Sequence, residues 1–180
     1  MTVMKSRIVS SELVYAGAIC RVRKVGLETA DGEVVPRDLV EMDDAVVVVP
    51  VLDDGAVVLI RNERFAVGEE LWEFPAGKLD SPAESPEACA ARELAEETGY
   101  AAGRLEPLGG FYSCPGLLTE YLHVFLASDL RPGRQALEAH EHIQPVRVEL
   151  NRLRGMIAAG ELHDAKSIAA YALWQLKGGG

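Results

Sequence analysis

The sequence has no long hydrophobic run, few cysteines and a shortage of positive charge. No segment reaches the roughly 18 to 20 consecutive apolar residues that a membrane-spanning helix needs. The three cysteines, Cys20, Cys89 and Cys114, are an odd number at no metal-like spacing, which favours free thiols over a disulfide framework. With 18 Lys and Arg against 28 Asp and Glu, the net charge of -10 argues against a nucleic-acid or membrane-surface partner.

The N-terminus also lacks the features of an export signal. Lys5 and Arg7 are followed by an apolar run that Glu12 interrupts, and Ile19 before Cys20 fits no usual cleavage site. We therefore expect a cytoplasmic protein. At 180 residues, with 48% hydrophobic and 26% charged residues, the chain suits one soluble globular domain with a substantial core.

What the sequence does contain is a cluster of three carboxylates, Glu93, Glu96 and Glu97, on one turn of a predicted helix. The spacing i, i+3 and i+4 puts them on one face, where they repel one another unless a cation lies between them. Hard divalent cations such as Mg2+ take oxygen ligands and use them to hold a substrate's phosphates. The alternative is a solvated acidic face. It is disfavoured because the helix macrodipole penalises negative charge near a C-terminal end.

The helix that carries these acids is predicted to span residues 86–98. Ser85 suits an N-cap, Pro86 the first helical position and Gly99 the C-terminal stop. Cys89 is expected to be a small buried residue on this helix. An apolar stripe away from the carboxylates is predicted to pack on a sheet, and it comprises Ala88, Ala91, Leu94 and Ala95.

Residues 77–100 resemble the Nudix box, G-x5-E-x7-R-E-U-x-E-E-x-G-U with U a bulky apolar residue. This is the signature of hydrolases that act on nucleoside diphosphates linked to another moiety. The matching fixed positions are Glu84, Arg92, Glu93, Leu94, Glu96, Glu97 and Gly99. The sequence departs from the pattern because six residues rather than five separate Gly77 from Glu84. Residues 80–83 form turns readily, so an extra loop residue costs little and leaves the helix register unchanged.

The order of predicted elements favours an α+β fold, and the resemblance implies the Nudix fold, an α/β/α sandwich of mixed β-sheets with the box helix on the core. Strands are predicted at residues 7–13, 18–27, 34–42, 45–52, 56–61, 105–112, 121–127 and 146–150, and further helices at 151–159 and 165–176. Residues 45–52 are apolar on both faces, which indicates a central strand with Pro50 at a bend or edge.

Residues 1–43 are predicted to form an N-terminal β extension ahead of a Nudix hydrolase domain at residues 44–180. In the ADP-sugar branch of the Nudix family, such an extension commonly swaps between subunits and completes the substrate site. The resemblance therefore implies a homodimer.

Further stretches resemble the ADP-ribose pyrophosphatases of that branch. Residues 72–77, Trp-Glu-Phe-Pro-Ala-Gly, match the Glu-x-Pro-Ala-Gly segment before their box, and residues 113–116 match their Ser-Pro-Gly segment apart from Cys114. Pro115 lies 15 residues after Tyr100, where this branch has its characteristic proline, although a lone proline is also explained by a rigid turn. Residues 160–168 resemble the family's closing helix region.

The resemblance implies that the box helix supplies most metal ligands. Glu93 and Glu97 carry over as catalytic ligands of Mg2+, for which Mn2+ could substitute, with Glu96 as a shared or outer ligand. The carbonyl of Ala76 completes the site. Two divalent ions about 4 Å apart would clamp the attacking and leaving oxygens and lower the pKa of a bound water.

The arginines divide into two predicted roles. Arg37 and Arg64 are candidates for binding the substrate's diphosphate, because a guanidinium can make two parallel hydrogen bonds to phosphate oxygens. Each could instead be an ordinary surface cation. Arg92, beside the glutamates, is interpreted as orienting or neutralising a carboxylate, and Glu84 as a supporting residue near the loop.

A general base is expected on a late loop in this branch of the family. Glu141 and Glu138 are the candidates, because residues 137–143 resemble the acidic loop that closes over the substrate. Glu141 is preferred for its place just before a predicted strand. His140 and His142 are alternatives, since histidine titrates near neutral pH, and a solvated acidic loop is the remaining interpretation.

Taken together, the residues and the resemblance predict a Mg2+-dependent Nudix hydrolase that splits ADP-ribose or a related ADP-sugar into AMP and ribose 5-phosphate. One alternative keeps the chemistry and changes the substrate to another nucleotide sugar, such as GDP-mannose, or to a dinucleoside polyphosphate. Another is a non-catalytic Nudix module that senses a nucleotide and regulates a partner. Retention of Glu93, Glu96 and Glu97 disfavours the sensor, which has little need for three mutually repelling acids.

Overall fold

The computed structural model describes residues 6–137 and 141–178, which divide into two compact units. The first unit comprises the residues up to Asp44 together with Tyr112–Tyr121, and the second comprises Ala45–Phe111 and the residues from Leu122 onward. The strands are β1 Arg7–Ala16, β2 Arg21–Glu28, β3 Val34–Glu41, β4 Ala45–Pro50, β5 Val57–Arg64, β6 Glu69–Glu73, β7 Ala76–Lys78, β8 Tyr100–Ala101, β9 Arg104–Tyr112, β10 Tyr121–Ser128, β11 Arg131–Pro132 and β12 Ile143–Val148. The helices are α1 Pro86–Thr98, α2 Leu150–Ala158 and α3 Ala165–Leu176.

The first unit is built on an antiparallel sheet in the order β1-β2-β3. β1 runs to Ala16 and β2 starts only at Arg21, so the predicted strand at residues 18–27 begins too early. The reason is a turn that the sequence pattern did not reveal, in which the N–H of Gly17 donates to the carbonyl of Cys20 at 2.9 Å. Every residue of β1 is exposed.

The second unit has sheets in the orders β7-β4-β10-β9 and β12-β5-β6, with a short β11-β8 pair. β4 is buried along its whole length and pairs in parallel with β10 and antiparallel with β7. Val46 and Val48 pack into a cluster with Leu94 of α1, whereas Val47 and Val49 pack into a cluster with residues of α2 and α3. Each fully buried valine contributes about 1.5 to 3 kcal/mol. The predicted central strand is confirmed, with Pro50 as its last residue.

Some elements differ from the sequence-based prediction. β6 and β7 were not expected, because β6 begins with two acids and β7 has only three residues, one of them Gly77. β12 starts at Ile143 rather than residue 146, and Leu150 belongs to α2. Pro145 lies within β12, where it is tolerated because β12 is an edge strand of its sheet.

The buried side of α1 also differs from the predicted stripe. Ala88 and Ala91 are exposed, so that part of the prediction is wrong, whereas Leu94 is fully buried. The larger apolar side chains, Cys89 and Leu94, determine which side of the helix faces the sheet. The burial expected for Cys89 is confirmed. Within the described ranges, no helix is long and apolar enough to cross a membrane.

Candidate active site

The ends of α1 fix the orientation of its acids. Ser85 is the N-cap in extended conformation, and its hydroxyl accepts a hydrogen bond from the N–H of Ala88 at 3.2 Å. Gly99 ends the helix with a left-handed φ of 76°, a conformation that glycine adopts without a steric penalty. The predicted start and stop of the helix are confirmed. We call the side of α1 that carries Glu93, Glu96 and Glu97 the acidic face.

Arg92 lies among the carboxylates that flank this face. Its Nη1 donates to Glu93 at 2.7 Å and to Glu96 at 3.1 Å, and its Nε donates to Glu84 at 3.0 Å. Asp80 adds a fourth carboxylate oxygen 3.3 Å from Nε. The prediction that Arg92 pairs with carboxylates is confirmed. Because one guanidinium serves several acids, it cannot neutralise them all.

Glu84 closes the loop in which the box pattern has its extra residue. Its Oε2 accepts a hydrogen bond from the N–H of Asp80 at 2.7 Å, and its own N–H donates to the carbonyl of Ser81 at 3.0 Å. The hydrogen bond from Arg92 lowers the pKa of Glu84. The added residue is therefore absorbed in a turn that Glu84 and Arg92 hold together, ahead of the first turn of α1.

Gly77 makes room for the Glu93 carboxylate. A Cβ at residue 77 would lie 2.0 Å from both Cδ and Oε1 of Glu93, so any larger residue there would push the Glu93 carboxylate out of its present position. Burial raises the pKa of Glu93, the hydrogen bond from Arg92 opposes the rise, and the charges of Glu96 and Glu141 add to it. The fold thus brings a carboxylate against the backbone of β7.

Glu97 is the most buried acid of the acidic face, with 4% of its surface exposed. Its Oε2 accepts a hydrogen bond from the N–H of Ala76 at 2.9 Å. Burial raises its pKa to about 8, since that single backbone hydrogen bond and the charge of Arg64 do not outweigh desolvation and the neighbouring charges of Glu93 and Glu141. A carboxylate with so little compensation from the protein is typical of a functional site.

Glu141 and Arg64 lie within electrostatic range of the acidic face. The charge of Glu141 raises the pKa of both Glu93 and Glu97, and the charge of Arg64 lowers that of Glu97. Glu141 is half-buried just before β12. The alternatives Glu138 and His140 lie outside the described residues.

Two other candidates, Arg37 and Pro115, belong to the first unit. Arg37 is an exposed residue of β3, and its Nη1 donates to the carbonyl of Pro36 at 2.8 Å. Pro115 is exposed in a turn closed by hydrogen bonds from the N–H groups of Leu117 and Leu118 to the carbonyl of Cys114, at 3.0 and 2.8 Å. The rigid turn considered for Pro115 is therefore present, and any role in binding substrate stays a prediction.

A second buried glutamate, Glu73, organises the surroundings of Arg64. Arg64 donates to both of its oxygens, from Nε at 2.8 Å and from Nη2 at 2.6 Å, and Lys166 Nζ lies 2.6 Å from Oε2. Lys166 also lies 3.0 Å from Asp164 Oδ1. We call Arg64, Glu73, Asp164 and Lys166 the Glu73 cluster. Burial opposes ionisation of Glu73, but the hydrogen bond from Arg64 and the charge of Lys166 outweigh it and lower its pKa.

The same end of α3 holds the backbone next to Glu73. Asp164 is the N-cap of α3, and its Oδ2 accepts hydrogen bonds from the N–H and the hydroxyl of Ser167 at 3.0 and 2.6 Å. The Ser167 hydroxyl accepts from the N–H of Phe74 at 2.8 Å. Sequence reasoning gave Glu73, Asp164 and Lys166 no role. The available signals were an acid between two large apolar residues in Trp72-Glu73-Phe74 and a lysine two residues after a capping aspartate.

The donor set of the acidic face fits a hard divalent cation, because it consists of carboxylate oxygens whose charges the protein leaves largely uncompensated. Within the described residues, no group of three or more His, Cys, Asp or Glu side chains is already arranged to hold a metal ion. The contacts explain this. Glu93 and Glu96 are turned toward Arg92, and Glu97 is turned toward the N–H of Ala76.

Comparison with known proteins gives consistent matches. Residues 42–171 match the model of the NUDIX domain. The chain is 32% identical over 179 residues to the ADP-ribose pyrophosphatase of Bacillus subtilis, covering 98% of this chain and 96% of that one. It is 39% identical over 133 residues to the ADP-ribose pyrophosphatase of Mycobacterium tuberculosis, covering 73% and 63%. The crystal structure of an ADP compounds hydrolase superposes with a TM-score of 0.84 at 28% identity, covering 100% of this chain and 98% of the other. The predicted fold is confirmed.

Proposed function

Because the chain belongs to the Nudix family, we propose that it hydrolyses the diphosphate linkage of ADP-ribose, or of a related ADP-sugar, to AMP and ribose 5-phosphate. The observation that carries the proposal is the acidic face, where Glu97 is buried and Glu93 half-buried, both with raised pKa values. A binding module without catalysis has no need to desolvate two neighbouring like charges. Relatives that span nearly the whole chain support the substrate class.

In this proposal Glu93, Glu96 and Glu97 hold a divalent cation, Mg2+ or Mn2+, together with the carbonyl of Ala76. When bound, the cation lowers the pKa of a coordinated water and offsets negative charge on the substrate's phosphates. The hydrogen bond from Ala76 N–H to Glu97 supports this assignment, because it brings the backbone of residue 76 against a ligand carboxylate. Gly77 and Arg92 fix the Glu93 carboxylate beside it.

Other side chains of the protein are proposed to bind the substrate and to transfer the proton. Arg64 is the proposed diphosphate clamp of the second unit. Glu73 takes one N–H each of Nε and Nη2, so the N–H groups of Nη1 and the second N–H of Nη2 are the donors through which Arg64 can reach phosphate oxygens. Arg37 and Pro115 are also proposed to bind substrate. Glu141 is proposed to accept the proton of the attacking water, and its electrostatic influence on Glu93 and Glu97 supports that role.

The test of the proposed function is a product assay with ADP-ribose, GDP-mannose and a diadenosine polyphosphate as substrates, each with Mg2+ and with a chelator. We expect release of AMP and ribose 5-phosphate from ADP-ribose, abolished by the chelator and restored by added Mg2+. Preferential cleavage of GDP-mannose or of the dinucleoside polyphosphate would keep the enzyme class and replace the substrate. Absence of products from all three would contradict the proposal.

The general base is tested by Glu141→Gln, and the alternative base His142, an exposed residue, is tested in parallel by His142→Gln. Removing a general base lowers the rate by roughly 100- to 10,000-fold. We expect a loss of kcat in that range for Glu141→Gln and near wild-type activity for His142→Gln. A loss of only a few fold in Glu141→Gln would assign proton transfer to another group.

We also propose that the protein forms a homodimer through the sheet of its first unit. β1 exposes large apolar side chains toward both of its ends, and these are Ile8, Val9, Leu13, Val14 and Tyr15. An exposed, apolar edge strand of 10 residues is a surface that a soluble protein normally covers. Size-exclusion chromatography with light scattering should give a dimer mass at micromolar concentration. A monomer there would contradict the proposal, and Leu13→Glu should convert dimer to monomer without unfolding the second unit.

A further inference from the structure

The surroundings of Arg64 are built on one carboxylate that two cations share. Glu73 is 1% exposed, and its two oxygens accept hydrogen bonds from Arg64 and from Lys166. Arg64 is considerably more open, with 40% of its side chain exposed. Within this pairing the buried carboxylate orients the guanidinium, and the ammonium of Lys166 donates to Oε2, the oxygen that also accepts from Arg64 Nη2.

The Glu73 cluster carries two positive and two negative charges, so its charges cancel. Without the ammonium of Lys166, Glu73 and Asp164 would be left with Arg64 as the remaining cation of the cluster. The guanidinium would then be drawn more strongly to Glu73, and the potential near Arg64 would become negative. A diphosphate is an anion, and both changes oppose its binding.

We propose that Lys166 is a positioning residue for the substrate's diphosphate, acting through Glu73 on Arg64 without touching the substrate. This inference rests on the proposed function, since it takes Arg64 as the diphosphate clamp. The acidic face is held by other contacts, from Ala76, Gly77 and Arg92. Loss of Lys166 should therefore weaken binding and leave the chemical step nearly unchanged.

The alternative hypothesis is that Lys166 has a purely structural role, and it predicts a different result. The N-terminal end of α3 also anchors the backbone at Phe74, the residue after β6, because Asp164 accepts from the Ser167 hydroxyl and that hydroxyl accepts from the N–H of Phe74. If Lys166 served only that anchor, its removal would lower the unfolding temperature while the folded enzyme kept its KM. The split between KM and kcat separates the two roles.

The experiment compares Lys166→Met and Lys166→Arg with Lys177→Met, which removes an exposed cation from the other end of α3. With ADP-ribose and Mg2+, we expect Lys166→Met to raise KM about tenfold with kcat within about threefold of wild type. Lys166→Arg keeps the charge and should restore KM to near wild type. Lys177→Met should match wild type. Thermal unfolding confirms that each variant is folded, and Lys166→Gln replaces Lys166→Met if the latter fails to fold.

A double-mutant cycle completes the test. In an Arg64→Met background, adding Lys166→Met should change KM by less than about twofold, because the route through Arg64 is already lost. An unchanged KM in folded Lys166→Met, or a full additional effect in the double variant, would overturn the inference. If the wild-type protein cleaves no ADP-ribose, the proposed function is wrong, but the inference about Lys166 can still be tested.

The same variants are then compared by the Kd of inorganic pyrophosphate, which must rise about tenfold in Lys166→Met for the inference to stand.

Discussion

Glu73 and Glu97 are buried glutamates of the same unit, 1% and 4% exposed, but the fold treats their charges in opposite ways. Glu73 receives a guanidinium and an ammonium, and its pKa is lowered despite burial. Glu97 receives one backbone N–H, and burial raises its pKa to about 8. Burial alone therefore does not decide the charge state of a carboxylate. The cations that the chain supplies decide it.

The two glutamates differ in how far the chain balances their charge. Cations of the chain balance the charge of Glu73, whereas they leave that of Glu97 largely unbalanced. The Glu73 cluster is self-contained, with each acid paired to a cation of the chain. The acidic face shares the single guanidinium of Arg92 among several acids, and it has Glu141 as a further like charge. An external cation would relieve that repulsion. Stability and substrate binding should therefore depend on the first region, and the chemical step on the second.

The largest expected effect comes from Glu97→Gln, which replaces a carboxylate of the acidic face by a neutral amide. The amide still accepts a hydrogen bond from Ala76 and, unlike the carboxylate, needs no proton to be neutral when buried, so the metal-free protein should be at least as stable as wild type. We expect kcat to fall by about three orders of magnitude, because a ligand of the catalytic cation is lost. Steady-state kinetics and thermal unfolding measure both quantities. Glu87→Gln, at an exposed glutamate in the first turn of α1, is the matched control. Near wild-type turnover in Glu97→Gln would refute the metal assignment.

Glu73→Gln makes the same chemical change in the Glu73 cluster, but here we expect the protein to become less stable. It leaves Lys166 and Arg64 without their shared carboxylate, and breaking a buried charge pair from one side costs about 3 kcal/mol of unfolding free energy. Urea-induced unfolding measures this loss. Glu70→Gln, at an exposed residue of the same strand, should cost little. If Glu73→Gln were as stable as wild type, the claim that the ion pairs of Glu73 stabilise the fold would be wrong.

Acidification should lower the stability of the wild-type protein through protonation of Glu73. Its pKa in the folded state lies below the ordinary value of 4.5, so its ion pairs stabilise the protein above pH 4.5. That stability is lost as the pH falls through the lower, folded-state value. Wild type should therefore lose more unfolding free energy than Glu73→Gln when the pH is taken from about 6 to below about 4. Parallel urea titrations across this range provide the measurement. Equal losses in the two proteins would contradict the assignment.

Much of this arrangement could be predicted from the sequence, because local signals determine it. The span of α1 followed from Ser85, Pro86 and Gly99, and the central position of β4 followed from its run of valines. The pairing of Arg92 with the glutamates followed from their spacing on one helix. Each of these features depends on residues that are close together in the chain.

The Glu73 cluster could not be predicted in the same way, because its members are far apart in the chain. Lys166 and Glu73 are 93 residues apart, and only the packing of α3 beside the sheets brings them together. The predicted stripe on α1 failed for a related reason. Alanines at 88 and 91 gain little from burial, so Cys89 and Leu94 set the orientation of the helix once the sheet is present.

The smallest expected effect concerns Gln135, to which the sequence analysis assigned no role. Its side-chain Nε2 donates to the carbonyl of Glu97 at 2.7 Å and to that of Ile143 at 3.0 Å. One amide thus ties the end of α1 to the residue two positions after Glu141. Because this neutral contact lies two residues from Glu141, the proposed general base, its loss should lower kcat. We expect Gln135→Leu to lower kcat about fivefold, in line with the loss of about 1 kcal/mol for a neutral hydrogen bond. Gln144→Leu, at an exposed residue next to Ile143, is the control. In a Glu141→Gln background the Gln135 effect should vanish, and its persistence there would mean that Gln135 acts on the acidic face by another route.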